Sequence, residues 1–219
     1  MPLQIFSEPE SVSERLRQLG LDEGALRQAR QQGLLASLEC TPNHAPTAAG
    51  TYSYHEIVRS LRDLHRPFGW SSDDRRNRGL LTNEEGTRAI AVASGDKNTG
   101  LPDATPSTRN PKGITTVQAV RDNTVGWLFS EMEEDREAQI ETSGIETWML
   151  LTFKDLGTQK FRSELSLPIS CNGRRCPDQW RERIILDTID FDEAAFVNAN
   201  PNSPSGSTPE INVEIRRRA

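Results

Sequence analysis

Between Pro9 and Leu19 the apolar residues Val12, Leu16 and Leu19 return at helical spacing, and Gly20 ends the run. Ser7 ahead of Pro9 and Glu10 makes a capping box with proline in the first turn. Asp22 caps a second predicted helix that turns Ala25, Leu26 and Ala29 inward and stops at Gly33. The two form a helical hairpin. A DNA-reading helix-turn-helix would want basic residues clustered on the second helix, and the pattern does not supply them.

A loop rich in Pro, Thr and Ala separates these from the strongest amphipathic segment. Ser53 to Glu56 reads as another capping box, and Tyr54, Ile57, Val58, Leu61 and Leu64 then recur on one face over residues 54–66. Pro67 and Gly69 close that helix. Leu80–Leu81, the turn Asn83–Gly86 and the run Thr87–Ala93 predict a hairpin whose second strand is buried. Residues 94–116 then offer almost nothing to bury, and a long loop of that kind is commonly functional or disordered. Helix resumes near Thr115 with Val117, Val120 and Val125, followed by Trp127, Leu128 and Phe129. The acidic stretch 131–141 reads as an exposed helical end or linker.

From residue 145 the period changes to two. Ile145, Thr147, Met149, Leu151 and Phe153 alternate with Trp148 and Leu150, so this strand is apolar on both faces and belongs mid-sheet. Phe161, Ser163, Leu165, Leu167 and Ile169 face the opposite way from Arg162, Glu164 and Ser166, as in a half-exposed partner strand. Asn172-Gly173 marks a turn. Trp180–Phe191 supplies a further strand, and residues 198–219 are too polar to build a core. The fold class is therefore α+β: N-terminal helices packed with an antiparallel sheet in a single domain over 1–197, with a helical part (1–70), a sheet-rich part (80–193) and a flexible C-terminal tail (198–219).

Composition narrows the function classes. The 219 residues are 34% hydrophobic and carry a net charge of −6, which argues against coating nucleic acid by bulk charge and leaves room for a local basic surface. No apolar run approaches a membrane span, the N-terminus lacks the basic and apolar regions of a signal peptide, and three cysteines are too few for a disulfide framework. A cytoplasmic location with no membrane partner is the expectation. The charge is uneven: residues 51–125 hold 11 basic against 9 acidic side chains, residues 126–160 hold 3 against 8.

Two arrangements carry candidate chemistry. On the polar face of the 54–66 helix, His55, Arg59, Arg62 and Arg66 fall at i, i+4, i+7 and i+11 and line one stripe. Guanidinium groups on a rigid element suit phosphate or carboxylate, although the same pattern serves a solvated face paired with Glu56 and Asp63. Arg75 and Arg76 follow in a polar loop. The second arrangement is the loop Gly95–Gly113, with cations Lys97, Arg109 and Lys112, two of them among the chain's four lysines. Glycines and hydroxyls around these cations suit an oxyanion, but the spacing is not that of a P-loop.

Other chemistry is weakly signalled. Cys40, His44, Cys171 and Cys176 make a possible zinc set, but neither half is a CxxC and about 130 residues separate them. No cofactor is implied. GxSxG, HExxH, kinase and Rossmann signatures are missing from the sequence. Asp73, Asp74 or Asp96 with one histidine (His44, His55 or His65) outlines a metal-dependent phosphodiesterase or nuclease as the enzymatic alternative. Lys154 and Asp155 suggest the same chemistry, yet neighbours on a strand point to opposite faces. The leading expectation is a non-enzymatic protein that binds a polyanion, nucleic acid within a larger bacterial or phage assembly. A protein-interaction adaptor or inhibitor using the acidic stretch and the tail is the third class.

Overall fold

The computed structural model describes residues 3–74, 79–130 and 144–192, the side chains of 125–130 excepted. In chain order the elements are β1 (Gln4–Phe6), α1 (Pro9–Gln18), α2 (Glu23–Leu38), α3 (Ala48–His65), β2 (Ser71–Asp73), β3 (Leu80–Thr82), β4 (Arg88–Ser94), α4 (Ile114–Ser130), β5 (Glu146–Asp155), β6 (Lys160–Cys171), β7 (Pro177–Ile185) and β8 (Ile189–Asp190). The strands form one sheet in the order β1-β7-β6-β5-β4-β3-β2, with β8 pairing β6. The α+β class holds, with N-terminal helices against a mostly antiparallel sheet. The sheet is mixed rather than purely antiparallel: β4 runs parallel to β5 and β1 parallel to β7. Parallel neighbours need a crossover, and α4 provides the one between β4 and β5.

Both faces of the sheet are covered. On one face Ile90, Trp148, Leu150, Leu165 and Ile184 meet Leu16, Leu26, Leu34, Ile57 and Leu61 of α1–α3 in the main core. On the other, Ala93, Met149, Leu151 and Trp180 form a smaller cluster with Val120 of α4. Asn123 pins α4 there. Its side chain donates to the Thr147 and Pro168 carbonyls at 3.0 and 2.9 Å and accepts from the Thr147 amide at 2.8 Å. Thr147 and Pro168 lie beyond the last β5–β6 register pair, Met149–Ser166, so Asn123 bridges the two strands where their ladder has ended.

Several boundaries differ from the pattern reading, each for a physical reason. Asp22 does cap α2, accepting from the Ala25 amide at 2.7 Å. The helix, however, runs through Gly33 to Leu38. Gly33 is not a stop but a close approach: a Cβ built there would lie 2.2 Å from Ile57 Cγ1 on α3. Helix α3 starts at Ala48, ahead of the capping box expected at Ser53, and its N-cap Thr47 makes no side-chain capping bond. The N-cap of α1 is Glu8, again without a side-chain bond, and Pro9 takes the first turn. The expected strand from Trp180 to Phe191 divides into the end of β7 and the short β8.

The largest correction concerns the loop after β4 and the second face of β6. Glu164 and Ser166 were expected to face solvent, and both are fully buried. The loop that offered nothing to bury lies over them, with Thr99 and Thr108 buried and the Trp180 indole donating to Pro106 O at 2.9 Å. A buried cation, Arg30, serves the opposite face. Arg30 of α2 donates to Ser163 Oγ at 2.8 Å and Asp187 O at 2.7 Å and pairs with the Asp187 carboxylate. Burial, with Arg27 beside it, pushes the Arg30 guanidinium down to about 9, which leaves it charged at neutral pH.

Candidate functional site

Helix α3 buries Ile57 and Leu61 against the sheet, and this orientation turns its Arg59–Arg66 flank outward. His55, Arg59, Arg62 and Arg66 line one groove of about 530 Å³, closed on its far side by Trp70, Ser71 and Ser72. The stripe expected from spacing therefore exists as one surface. It runs beside β2, which is an edge strand of the sheet.

The charges in this groove are partly matched. Arg59 donates to Glu56 Oε2 at 2.8 Å and to Asp63 Oδ2 at 3.1 Å, and these carboxylates push its guanidinium up. Arg62 reaches Asp74 Oδ1 at 2.5 Å and the Leu80 carbonyl at 3.3 Å. His55 and Arg66 are exposed, and neither forms an ion pair with a described residue. Ion pairs this exposed contribute only about 0.2–1 kcal/mol, so they orient the guanidinium groups and yield to a stronger anion.

The remaining predicted cations do not join the stripe. Lys97 is exposed on the loop after β4, where its carbonyl accepts from Arg162 at 2.9 Å. Lys112 sits by the β6–β7 turn, its amide donating to Arg175 O at 2.9 Å. Burial there pushes the Lys112 amine down. Arg109 reaches a separate cavity at the first turn of α3. Arg75 and Arg76 lie outside the described residues, as do the acidic stretch 131–141 and the tail 198–219.

The weaker candidates disperse. No group of three or more His, Cys, Asp or Glu among the described residues could hold a metal. Cys40 lies just past the C-cap of α2, Glu39, and His44 turns back to accept from the Thr41 amide at 3.0 Å. Cys171 and Cys176 flank the β6–β7 turn, where Asn172 N donates to Cys176 O at 2.9 Å. Asp96 accepts from the Asn98 amide within its own loop at 3.0 Å, and Asp74 belongs to Arg62. Lys154 and Asp155 part as alternation requires, one to Ser37 and the other to Arg162. Among the described residues no helix is long and apolar enough to cross a membrane. No protein family matches the chain, and neither a curated protein nor a solved structure shows significant similarity to it.

Proposed function

We propose that this chain is a non-enzymatic binding protein that engages a polyanion along α3, the ligand being nucleic acid held within a larger bacterial or phage assembly. One observation carries the reading: three arginines and a histidine, spread from His55 to the α3 C-cap Arg66, open into a single groove. Arg59 and Arg66 stand about 10 Å apart along the helix axis, a length that suits successive groups of a chain polymer better than one small ion. The pairing of Arg59 and Arg62 reduces the field of the groove, and the acidic net charge confines attraction to this local surface.

Binding that rests on three guanidinium groups releases few counterions. Its affinity for duplex DNA should fall with salt at a log–log slope near about −2.7. The test is retention of the full chain on duplex DNA, single-stranded DNA and RNA across a salt series, with the double substitution R62Q/R66Q alongside. Salt-sensitive retention that the substitution removes supports the reading. No retention at low ionic strength, or retention indifferent to salt or to the substitution, overturns it.

A further inference from the structure

Strands β4 and β5 run parallel and end side by side, and chains leaving the carboxyl ends of parallel strands in different directions open a crevice. Here the crevice is a cavity of about 350 Å³, walled by the strand ends, by the C-terminal part of α2 and by the first turns of α3. Its polar lining is Ser37, Ser53, Ser94, Thr152, Arg109 and Lys154, with the Tyr54 ring beside them. No carboxylate is among the lining residues. That separates it from the α3 groove, where Asp63 is part of the wall.

Both cations are placed by the fold. Lys154 shares the sheet face of Phe161, its register partner, and therefore points toward α2, where its Nζ donates to Ser37 Oγ at 2.5 Å. That bond uses one of three ammonium donors. Burial pushes the amine down, the Cys40 thiol acts against this effect, and Lys154 forms no ion pair with a carboxylate among the described residues. A half-buried ammonium with no counter-ion is costly unless an anion joins it. Arg109 arrives from the loop after β4. Its amide donates to Ser94 O at 2.9 Å, beside the Gly95–Thr108 bridge. Its guanidinium is exposed and meets no partner among the described residues. Ala49 and Gly50 of α3 add amides that precede the first intrahelical bond, Thr51 N to Thr47 O.

We propose that this cavity binds a phosphate monoester, gripped between Arg109 and Lys154 with the serine and threonine hydroxyls completing its shell. The site is distinct from the α3 groove and stands without the polyanion reading. Two cations balance a dianion, and several donors spread around the wall match three terminal oxygens better than the two of a planar carboxylate. The volume admits the phosphoryl group with a sugar-sized remainder.

The experiment titrates the full chain with inorganic phosphate, and separately with a short oligonucleotide bearing a 5′-phosphate or a 5′-hydroxyl, by calorimetry at matched ionic strength. Arg109→Gln alters an exposed side chain, and Lys154→Met keeps the buried stem. Each should weaken phosphate binding about tenfold, the worth of one charge-assisted contact, while Arg66→Gln leaves it unchanged. Binding of inorganic phosphate identifies a free phosphorylated ligand. Binding only of the 5′-phosphorylated oligonucleotide identifies a nucleic-acid end. The site is overturned if neither phosphate species binds beyond its control, if Arg109→Gln binds as well as the parent, or if Arg66→Gln is the variant that loses phosphate. Loss of salt-sensitive retention in R62Q/R66Q with phosphate binding intact separates the two readings.

Discussion

Arg183 of β7 grips Glu164 of β6 with two hydrogen bonds, Nε to Oε1 at 3.0 Å and Nη2 to Oε2 at 2.7 Å, and almost none of either side chain reaches solvent. The pair does more than neutralise itself. Arg183 also donates to the carbonyls of Ala104 and Leu101 at 2.8 and 3.0 Å, and Glu164 accepts from the Gly100 amide and the Ser166 hydroxyl. The loop after β4 hangs on this ion pair, and that loop carries Arg109 to its cavity.

Arg183→Met should therefore cost about 3–5 kcal/mol, because it strands a buried carboxylate and two loop carbonyls. The double variant Glu164→Leu with Arg183→Met should recover much of that loss, since no uncompensated charge remains. Denaturant unfolding measures both, and amide exchange at Gly100 to Ala104 should accelerate in the single variant. A single variant that loses less than about 1 kcal/mol with the loop still protected would show that the pair does not hold it.

Gly33 makes a second prediction, opposite in sign to helix propensity. Alanine at an exposed helical position would gain roughly 1 kcal/mol over glycine. Here the added methyl would stand 2.2 Å from Ile57 Cγ1 and 2.9 Å from the Ser53 carbonyl, so α2 and α3 must separate. Gly33→Ala should destabilise by about 1–3 kcal/mol, and adding Ile57→Ala should return little, because the Ser53 backbone cannot move aside as a side chain does. Thermal and urea unfolding of the variants decides it. Neutral or higher stability in Gly33→Ala would mean that the two helices are not in contact at this point.

These two sites mark where the sequence is legible and where it stops. Local period placed α1, the start of α2, the body of α3 and the β3–β4 and β5–β6–β7 hairpins, because each signal lies within a few residues. The stripe from His55 to Arg66 was equally legible, since helix geometry alone sets which residues share a flank. Gly33 misled because a glycine at a stop and a glycine at a crossing look alike until the partner helix is known. Glu164 misled because alternation assigns a polar residue to solvent, and no short-range signal says that a distant loop will cover it. Lys154 and Ser37, 117 positions apart, meet only through the sheet register, so their cavity could not be read from spacing. Arg109 stood out in the sequence for its loop, and Lys97 and Lys112 from the same loop go elsewhere, because that loop lies across the sheet instead of closing on one ligand.

His65 gives the stability of the fold a pH dependence with a definite sign. It ends α3, is fully buried, and its Nδ1 lies 3.1 Å from the Leu61 carbonyl, which assigns the proton to that nitrogen. Its Nε2 is buried without a hydrogen-bond partner among the described residues. Burial pushes the imidazole down from its ordinary value near 6.5, against smaller upward contributions from the Leu61 carbonyl and Asp22. The unfolded chain thus takes up the proton more readily than the folded one. This contribution to stability is complete above about pH 6.5 and is lost as the pH falls from there through the lower folded value, at no more than about 1.4 kcal/mol per pH unit. His65→Gln removes the term, so its unfolding free energy should change less than the parent's between about pH 7.5 and about pH 5.5. Equal slopes in the two proteins across that window would assign the pH dependence to other groups and leave His65 as a packing residue only.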